Sequence, residues 1–250
     1  MAKDVALLIS CLADQFYPRV GVAVTKILEH FGCLVHFPAE QTCCGRPFYD
    51  AGHHEQARVL ARRMVEIFER YEYVVTPSAS CCAMVRQRYP DLLAGEHAWE
   101  SGCRRLALRT YEFLEFLDKV LRVDLSMLKL PQRRSVAYQH NCRLRSPGTA
   151  DRSAEMLREI WNLDLRPLPR ADQCCGFGGS LALRHPAISA AIAADKADAI
   201  AATAAPIIIC DDPGCALHIA GACHAKGVQT QVKHSAELIA EALAIDLSGW

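Results

Sequence analysis

One cysteine frame, written twice, constrains this chain more than any other feature. Cys43-Cys44-Gly45 recurs as Cys174-Cys175-Gly176, and the second copy continues into Phe177-Gly178-Gly179. After 31 intervening residues in each case, the pair is preceded by a lone cysteine, Cys11 or Cys142. Another cysteine follows a strand-like apolar run: Cys81 after Tyr73-Val74-Val75-Thr76-Pro77, and Cys215 after Ile207-Ile208-Ile209 and Pro213-Gly214. Cys11 to Cys142 and Cys43 to Cys174 each span 131 positions, and Cys81 to Cys215 spans 134. A frame repeated at a nearly constant offset implies two copies of one folding unit. We therefore expect domains at 1–130 and 131–250, with Pro131-Gln132-Arg133-Arg134 at the boundary.

Each half alternates strand and helix signals. Asp4 to Ser10 is a continuous apolar run of the kind a buried parallel strand needs. Val20, Val24, Ile27, Leu28 and Phe31 then recur at helical spacing until Gly32 stops the helix. Cys33 to Pro38 reads as a second strand, residues 51–72 as an amphipathic helix with a solvated charged face, and Tyr73 to Thr76 as a third strand. Residues 92–122 read as a helical linker. The second half predicts a strand at Ser135 to Gln139, a helix at Asp151 to Leu163, a short strand at Leu165 to Leu168, an alanine-rich helix at Ile188 to Ala205, a strand at Pro206 to Cys210 and a last helix at Ser235 to Ala244. The expected fold class is α/β: two similar, Rossmann-like parallel-sheet lobes from an internal duplication, with right-handed crossovers. The cysteines fall on loops after strand C-termini, the edge where open α/β folds bind ligands, so residues distant in sequence converge there.

Charge and hydropathy narrow the chemistry. The 28 basic residues balance 28 acidic ones, so nothing in the balance calls for nucleic acid or an anionic membrane. Met1 to Asp4 and the interrupted run behind it lack signal-peptide character, and the longest uncharged stretch, Ala199 to Cys210, is too short for a membrane span. A cytoplasmic setting is expected, where thirteen cysteines read as metal or redox chemistry rather than as disulfides. There is no Gly-x-Gly-x-x-Gly turn between a strand and a helix and no phosphate loop, so a nucleotide site is not expected.

Four thiolates per half are typical of iron–sulfur clusters and of structural zinc. Zinc sites normally use paired Cys-x-x-Cys knuckles, and neither half has them. Adjacent cysteines also bridge two irons of one cluster more readily than they bind one ion. Iron–sulfur is therefore the leading reading, with zinc in one half and plain thiol–disulfide chemistry as the alternatives.

The doubled Cys-x31-Cys-Cys-Gly frame with its late cysteine resembles the cysteine-rich CCG domain family of iron–sulfur oxidoreductase subunits, over nearly the whole chain. That family includes the cysteine-rich component of heterodisulfide reductase, the glycolate oxidase iron–sulfur subunit and a short lactate-utilisation type. The short type is the nearest in pattern, since no ferredoxin-like Cys-x2-Cys-x2-Cys segment precedes the repeats, and Gln41-Thr42-Cys43-Cys44-Gly45 and His234-Ser235-Ala236-Glu237 are similar to it. The resemblance implies one metal site from Cys11, Cys43, Cys44 and Cys81 and another from Cys142, Cys174, Cys175 and Cys215, each holding a cluster of the [4Fe-4S] kind. It further implies a non-flavin electron-transfer subunit, acting with other iron–sulfur or flavin subunits in oxidising L-lactate or a similar 2-hydroxy acid to pyruvate. In the heterodisulfide reductase type a fifth cysteine falls where this chain has Ser78 and Asp212, which disfavours direct disulfide cleavage. The family often places histidine where Gln139 stands, so His140 is given no role.

Other residues have plainer readings. Cys33 and Cys210 in strands read as small buried apolar residues, Cys103 and Cys223 as incidental, and Cys82 as a substitute ligand at most. His218 is a candidate to bond toward a cluster sulfur. His53 and His54 read as exposed at a helix start, and His234 as the cap of the last helix. Because the second site has three glycines against one, it is expected to wrap its metal group more closely than the first.

Overall fold

A computed structural model of the chain describes residues 2–144 and 149–249. The first lobe comprises β1 (Lys3–Leu7), α1 (Cys11–Phe16), α2 (Pro18–His30), β2 (Cys33–His36), α3 (Arg46–Asp50), α4 (His54–Phe68), β3 (Tyr73–Thr76), α5 (Ala79–Ala83), α6 (Tyr89–Leu92), α7 (Glu100–Arg109), β4 (Thr110–Glu112) and α8 (Phe113–Phe116). The second comprises β5 (Lys129–Gln139), α9 (Thr149–Glu159), β6 (Trp161–Arg166), α10 (Leu181–Arg184), α11 (Pro186–Ala202), β7 (Ile207–Cys210), α12 (Pro213–Ala225), β8 (Gln231–Lys233) and α13 (Ser235–Ala242).

Two four-stranded sheets result, ordered β2-β1-β3-β4 and β6-β5-β7-β8, and every pairing is parallel. The expected α/β class and the two similar lobes are both present. The details differ in four places. The segment read as a helical linker contains β4, and β8 likewise closes the second sheet as a fourth strand. Strand β5 begins at Lys129 rather than Ser135, so Pro131 lies inside it. Helix α9 ends at Glu159, and Trp161 to Leu163, read as helix, belong to β6.

Local chemistry explains where the site-bearing turns sit. Ser10 accepts the Ala13 N–H and starts α1, so Cys11 is its first residue. Ser78 and Asp212 cap α5 and α12, and Cys81 and Cys215 each lie three residues further on, in the first helical turn. His234 caps α13 in a reciprocal arrangement with Glu237, as its position led us to expect.

The lobes are fused by a shared core. Val5, Leu7, Ile27 and Leu28 of the first lobe belong to the same apolar cluster as Val136, Ile207, Leu238 and Ile239 of the second. Each such side chain contributes about 1.5–3 kcal/mol when taken from water. Separate clusters back the outer faces of the two sheets. A common core fixes the angle between the strand C-termini, and hence the two cysteine-bearing edges face each other. Among the described residues, no helix is long and apolar enough to cross a membrane.

Candidate metal centre

All eight frame cysteines line one cavity of about 410 Å³ between the lobes. Within each set the sulfurs fall into two pairs. Cys11 and Cys43 are 4.0 Å apart, and Cys44 and Cys81 are 3.2 Å apart. In the second set the corresponding separations are 4.0 Å for Cys142–Cys174 and 2.8 Å for Cys175–Cys215. The adjacent cysteines of each Cys-Cys-Gly therefore turn to different partners. No disulfide joins any of the thirteen cysteines.

The glycine of each triplet lets the backbone do this. Gly45 and Gly176 have φ of 81° and 89°, left-handed values that favour glycine. Both turn an amide onto the first sulfur of the pair, Gly45 N–H to Cys43 Sγ and Gly176 N–H to Cys174 Sγ, each at 3.4 Å. Donation from the neighbouring thiols, Cys11 first and Cys44 second, together with that amide, holds Cys43 as a thiolate down to about pH 3. Cys142, then Cys175, and Gly176 do the same for Cys174, down to about 2. The partners Cys11 and Cys142 are pushed up, first by the hydrogen bond they give and then by burial. The two sites thus share one electrostatic plan. They differ in exposure: Cys11 is open to solvent, whereas Cys142, Cys174 and Cys215 are half-buried and Cys175 is buried.

The remaining cysteines sit close to their plain readings. Cys33, Cys103 and Cys223 are buried in the apolar clusters. Cys82 is buried and its thiol is pushed up to about 12, chiefly by desolvation. Cys210 is buried at the end of β7, and its thiol also contacts the Asp212 carbonyl at 3.6 Å and bonds with Cys215. His218 does not turn to a sulfur in the bonds seen for it. Ser189 Oγ donates to Gly176 O at 2.9 Å and lies 3.0 Å from His218 Nε2, while Phe177 packs edge-on to the ring at 5.9 Å. His218 therefore supports the second triplet through Ser189. His53 and His54 are exposed at the start of α4, and the His140 ring lies edge-on to Tyr138 at 5.3 Å.

Several residues at the cavity escaped the sequence reading. Arg46, directly after the first triplet, is buried and binds Asp50 through Nε at 2.9 and 2.8 Å. Asp50 also accepts from Arg143 of the other lobe at 3.3 Å. A Cβ on Gly179 would lie 2.7 Å from Asp50 Oδ2, so the second glycine loop rests on that ion pair. Gln41 is a strut of the first site, accepting the Ile9 N–H and donating to Leu7 O and Pro38 O. Gln139 plays the matching part in the second, donating to His140 O and Gln173 O. Arg46 beside the triplet and the Gly178-Gly179 pair were the available signals.

Four thiols per site, one of them stabilised as a thiolate (Cys43 in the first, Cys174 in the second), make a soft donor set suited to a metal group. Yet among the described residues no three His, Cys, Asp or Glu side chains close around one point as a single ion requires. Two opened pairs facing one space fit a multinuclear cluster better than one tetrahedral ion.

Comparison with known proteins agrees with this arrangement. A profile of the CCG cysteine-rich domain matches residues 5–86 and again 136–220. Lactate utilization protein A 2 of Bacillus cereus (strain Q1) is 37% identical over 241 residues, 96% of this chain and 99% of the relative. Lactate utilization protein A of Halalkalibacterium halodurans is 38% identical over 236 residues, 94% and 96% of the two chains. A crystal structure of a hypothetical protein from Helicobacter pylori has the same fold, with a TM-score of 0.71 at 10% identity over 97% of this chain; the chain spans about half (51%) of that protein. With two matched copies of the domain and full-length relatives above 30% identity, the chain belongs to the CCG cysteine-rich domain family, in the group of the lactate utilization A proteins.

Proposed function

We propose that this chain is an iron–sulfur electron-transfer subunit of an oxidoreductase that oxidises L-lactate or a similar 2-hydroxy acid. The reading rests on one observation above all: two matched four-thiol sets face each other across a single cavity. The names of the full-length relatives supply the substrate class. Cys11, Cys43, Cys44 and Cys81 would hold one cluster, and Cys142, Cys174, Cys175 and Cys215 the other. A cluster of the [4Fe-4S] kind supplies one-electron steps when bound.

The chain's own residues do the rest. The Gly45 and Gly176 amides, aimed at sulfur, offset negative charge there. The shared apolar core holds the two sites at a fixed separation, and the Arg46–Asp50–Arg143 bridge ties the lobes together at the cavity. Hydride chemistry on the carbon substrate falls to a flavin or other cofactor held by a partner subunit of the same complex. We take the division into repeats to fall near residue 130.

Anaerobic purification with iron, sulfide and zinc analysis, and EPR of the reduced protein, tests this. About eight irons and eight sulfides per chain are expected for two such clusters. Cys175→Ser should lose one of the two signals, and Cys223→Ser neither. A colourless, iron-free, zinc-loaded protein overturns the proposal.

A further inference from the structure

The junction of the lobes holds an acid for which the cysteine chemistry has no use. Glu112 ends β4 and is 4% exposed. Its Oε2 caps α8, accepting the N–H groups of Leu114 at 2.9 Å and Glu115 at 3.3 Å. Its Oε1 is out of solvent and has no hydrogen-bond partner. The side chain lines a chamber of about 20 Å³ walled by Asp211, Tyr138 and Asn141. That is room for one water.

The charges around it leave a proton to be placed. Arg86 and Lys119 both bind the Glu115 carboxylate, Lys119 at 2.6 Å. His234 accepts the Ala236 N–H at Nδ1 and faces Pro77 O with Nε2, so the ring is neutral with its proton on Nε2. From α5, the Cys82 thiol is kept neutral by burial. Tyr138 is likewise pushed up by burial and donates its O–H to Asp211 Oδ2 at 3.0 Å. Asp211 Oδ1 accepts the Ser235 N–H at 3.0 Å. Glu112, Glu115 and Asp211 all line the chamber; Glu115 is paired with Arg86 and Lys119, and the two carboxyls left without a cation do not both carry charge. Asp211 has both oxygens occupied as acceptors and Glu112 has one empty, so the proton belongs on Glu112 Oε1. Burial first, and the Asp211 charge second, push Glu112 well above the usual carboxylate range.

We propose that Glu112 is an internal proton site, a neutral carboxylic acid that serves the cysteine cavity through one water in this chamber. Asn141 lines both spaces, and the Ala79 N–H on Asp211 O at 3.1 Å continues the wall between them. In the transfer the O–H bond at Oε1 breaks and its electron pair stays on the carboxylate. The proton passes to the water, which releases one of its own to solvent in the cavity. Solvent protons entering by the cavity restore Glu112. On the electron-carrying reading given above, an electron arriving at the cysteine sites raises the proton affinity of this acid. Electron uptake is therefore proton-independent where Glu112 is already protonated and proton-coupled at higher pH.

Difference infrared spectroscopy of the protein as purified tests the acid whether or not iron is present. As pH is raised from neutrality, the wild type should lose one carboxylic-acid C=O stretch that Glu112→Gln lacks throughout. Asp211→Asn, which removes the neighbouring charge, should move that loss to lower pH and serves equally if Glu112→Gln does not fold. The same stretch in Glu112→Gln, or no protonated carboxyl in the neutral wild type, overturns the assignment. In iron-loaded protein the midpoint potential should be flat with pH below the wild-type transition and fall above it, and stay flat in Glu112→Gln. Identical slopes for the two proteins, with the infrared band present, overturn the transfer while leaving the acid in place.

Discussion

Ser78 Oγ donates to Asp212 Oδ2 across the lobe junction at 3.2 Å. These are the equivalent positions of the two repeats, 134 residues apart, and the places where a Cys-x-x-Cys would put its first cysteine. The same Oδ2 accepts the Ser80 N–H at 2.8 Å, while Oδ1 accepts from Gly214 and Cys215 at 3.1 and 3.3 Å. One buried carboxylate thus caps the second site's helix, holds the first site's turn and joins the repeats.

A restored cysteine at these positions should therefore be unequal in its cost. Asp212→Cys leaves four donors with a weak acceptor and should lose about 2–3 kcal/mol, from the cap and the unpaired groups. Ser78→Cys removes one donor and one weak cap and should lose about 1 kcal/mol. Urea denaturation of the two variants measures the difference. Equal costs would mean that the cross-lobe carboxylate carries no particular weight.

The glycines of the two triplets should also differ. A Cβ on Gly176 would lie 2.8 Å from Ser189 O and 3.1 Å from Ile192 Cβ, whereas on Gly45 the nearest atoms are at 3.4 Å. Gly45→Ala meets only the left-handed backbone penalty, about 1–2 kcal/mol. Gly176→Ala adds a backbone clash that also displaces the Ser189–His218 support, and should cost about 3 kcal/mol. Metal analysis alongside denaturation should show the second site depleted in Gly176→Ala and the first intact.

In metal-free protein, thiol alkylation should follow thiolate character rather than exposure. Cys43 and Cys174 remain thiolates to about pH 3 and about pH 2, while Cys11, though exposed, keeps its proton. At about pH 6, where an ordinary thiol near 8.5 is almost fully protonated, iodoacetamide should label Cys43 and Cys174 first. Peptide mass spectrometry reads the order. Cys11 labelled ahead of both would show that the hydrogen-bonded pairs do not persist without metal.

What was legible in the sequence was whatever short-range chemistry writes locally. The Cys-Cys-Gly triplets, the apolar runs ahead of Cys11, Cys81 and Cys215, and the cap at His234 are each contained in a few neighbouring residues. β4 and β8 were not legible because each is three residues long, and Thr110-Tyr111-Glu112 and Gln231-Val232-Lys233 acquire strand geometry only by pairing with β3 and β7. The Arg46–Asp50–Arg143 bridge was hidden because its last member comes from the other repeat. Ser78 and Asp212 stood out as departures from a pattern, but their contact with each other is a property of the lobe junction alone.

Glu112 should make stability depend on pH in a recognisable direction. Its folded pKa lies above the unfolded value of about 4.3, because burial and the Asp211 charge disfavour the carboxylate. Folding with a proton on Glu112 therefore costs nothing below about pH 4. As pH rises above that, the unfolded chain releases the proton while the folded chain retains it, and stability falls until Glu112 itself ionises. Glu112→Gln has no proton to retain. Its stability relative to wild type should rise from about pH 5 upward, by about 1.4 kcal/mol for each unit the folded pKa lies above the unfolded one, and level off once the folded acid has titrated. Paired urea titrations of the two proteins across this range measure the difference, in which the other carboxylates cancel. A gap independent of pH would place Glu112 in its charged form in the folded protein.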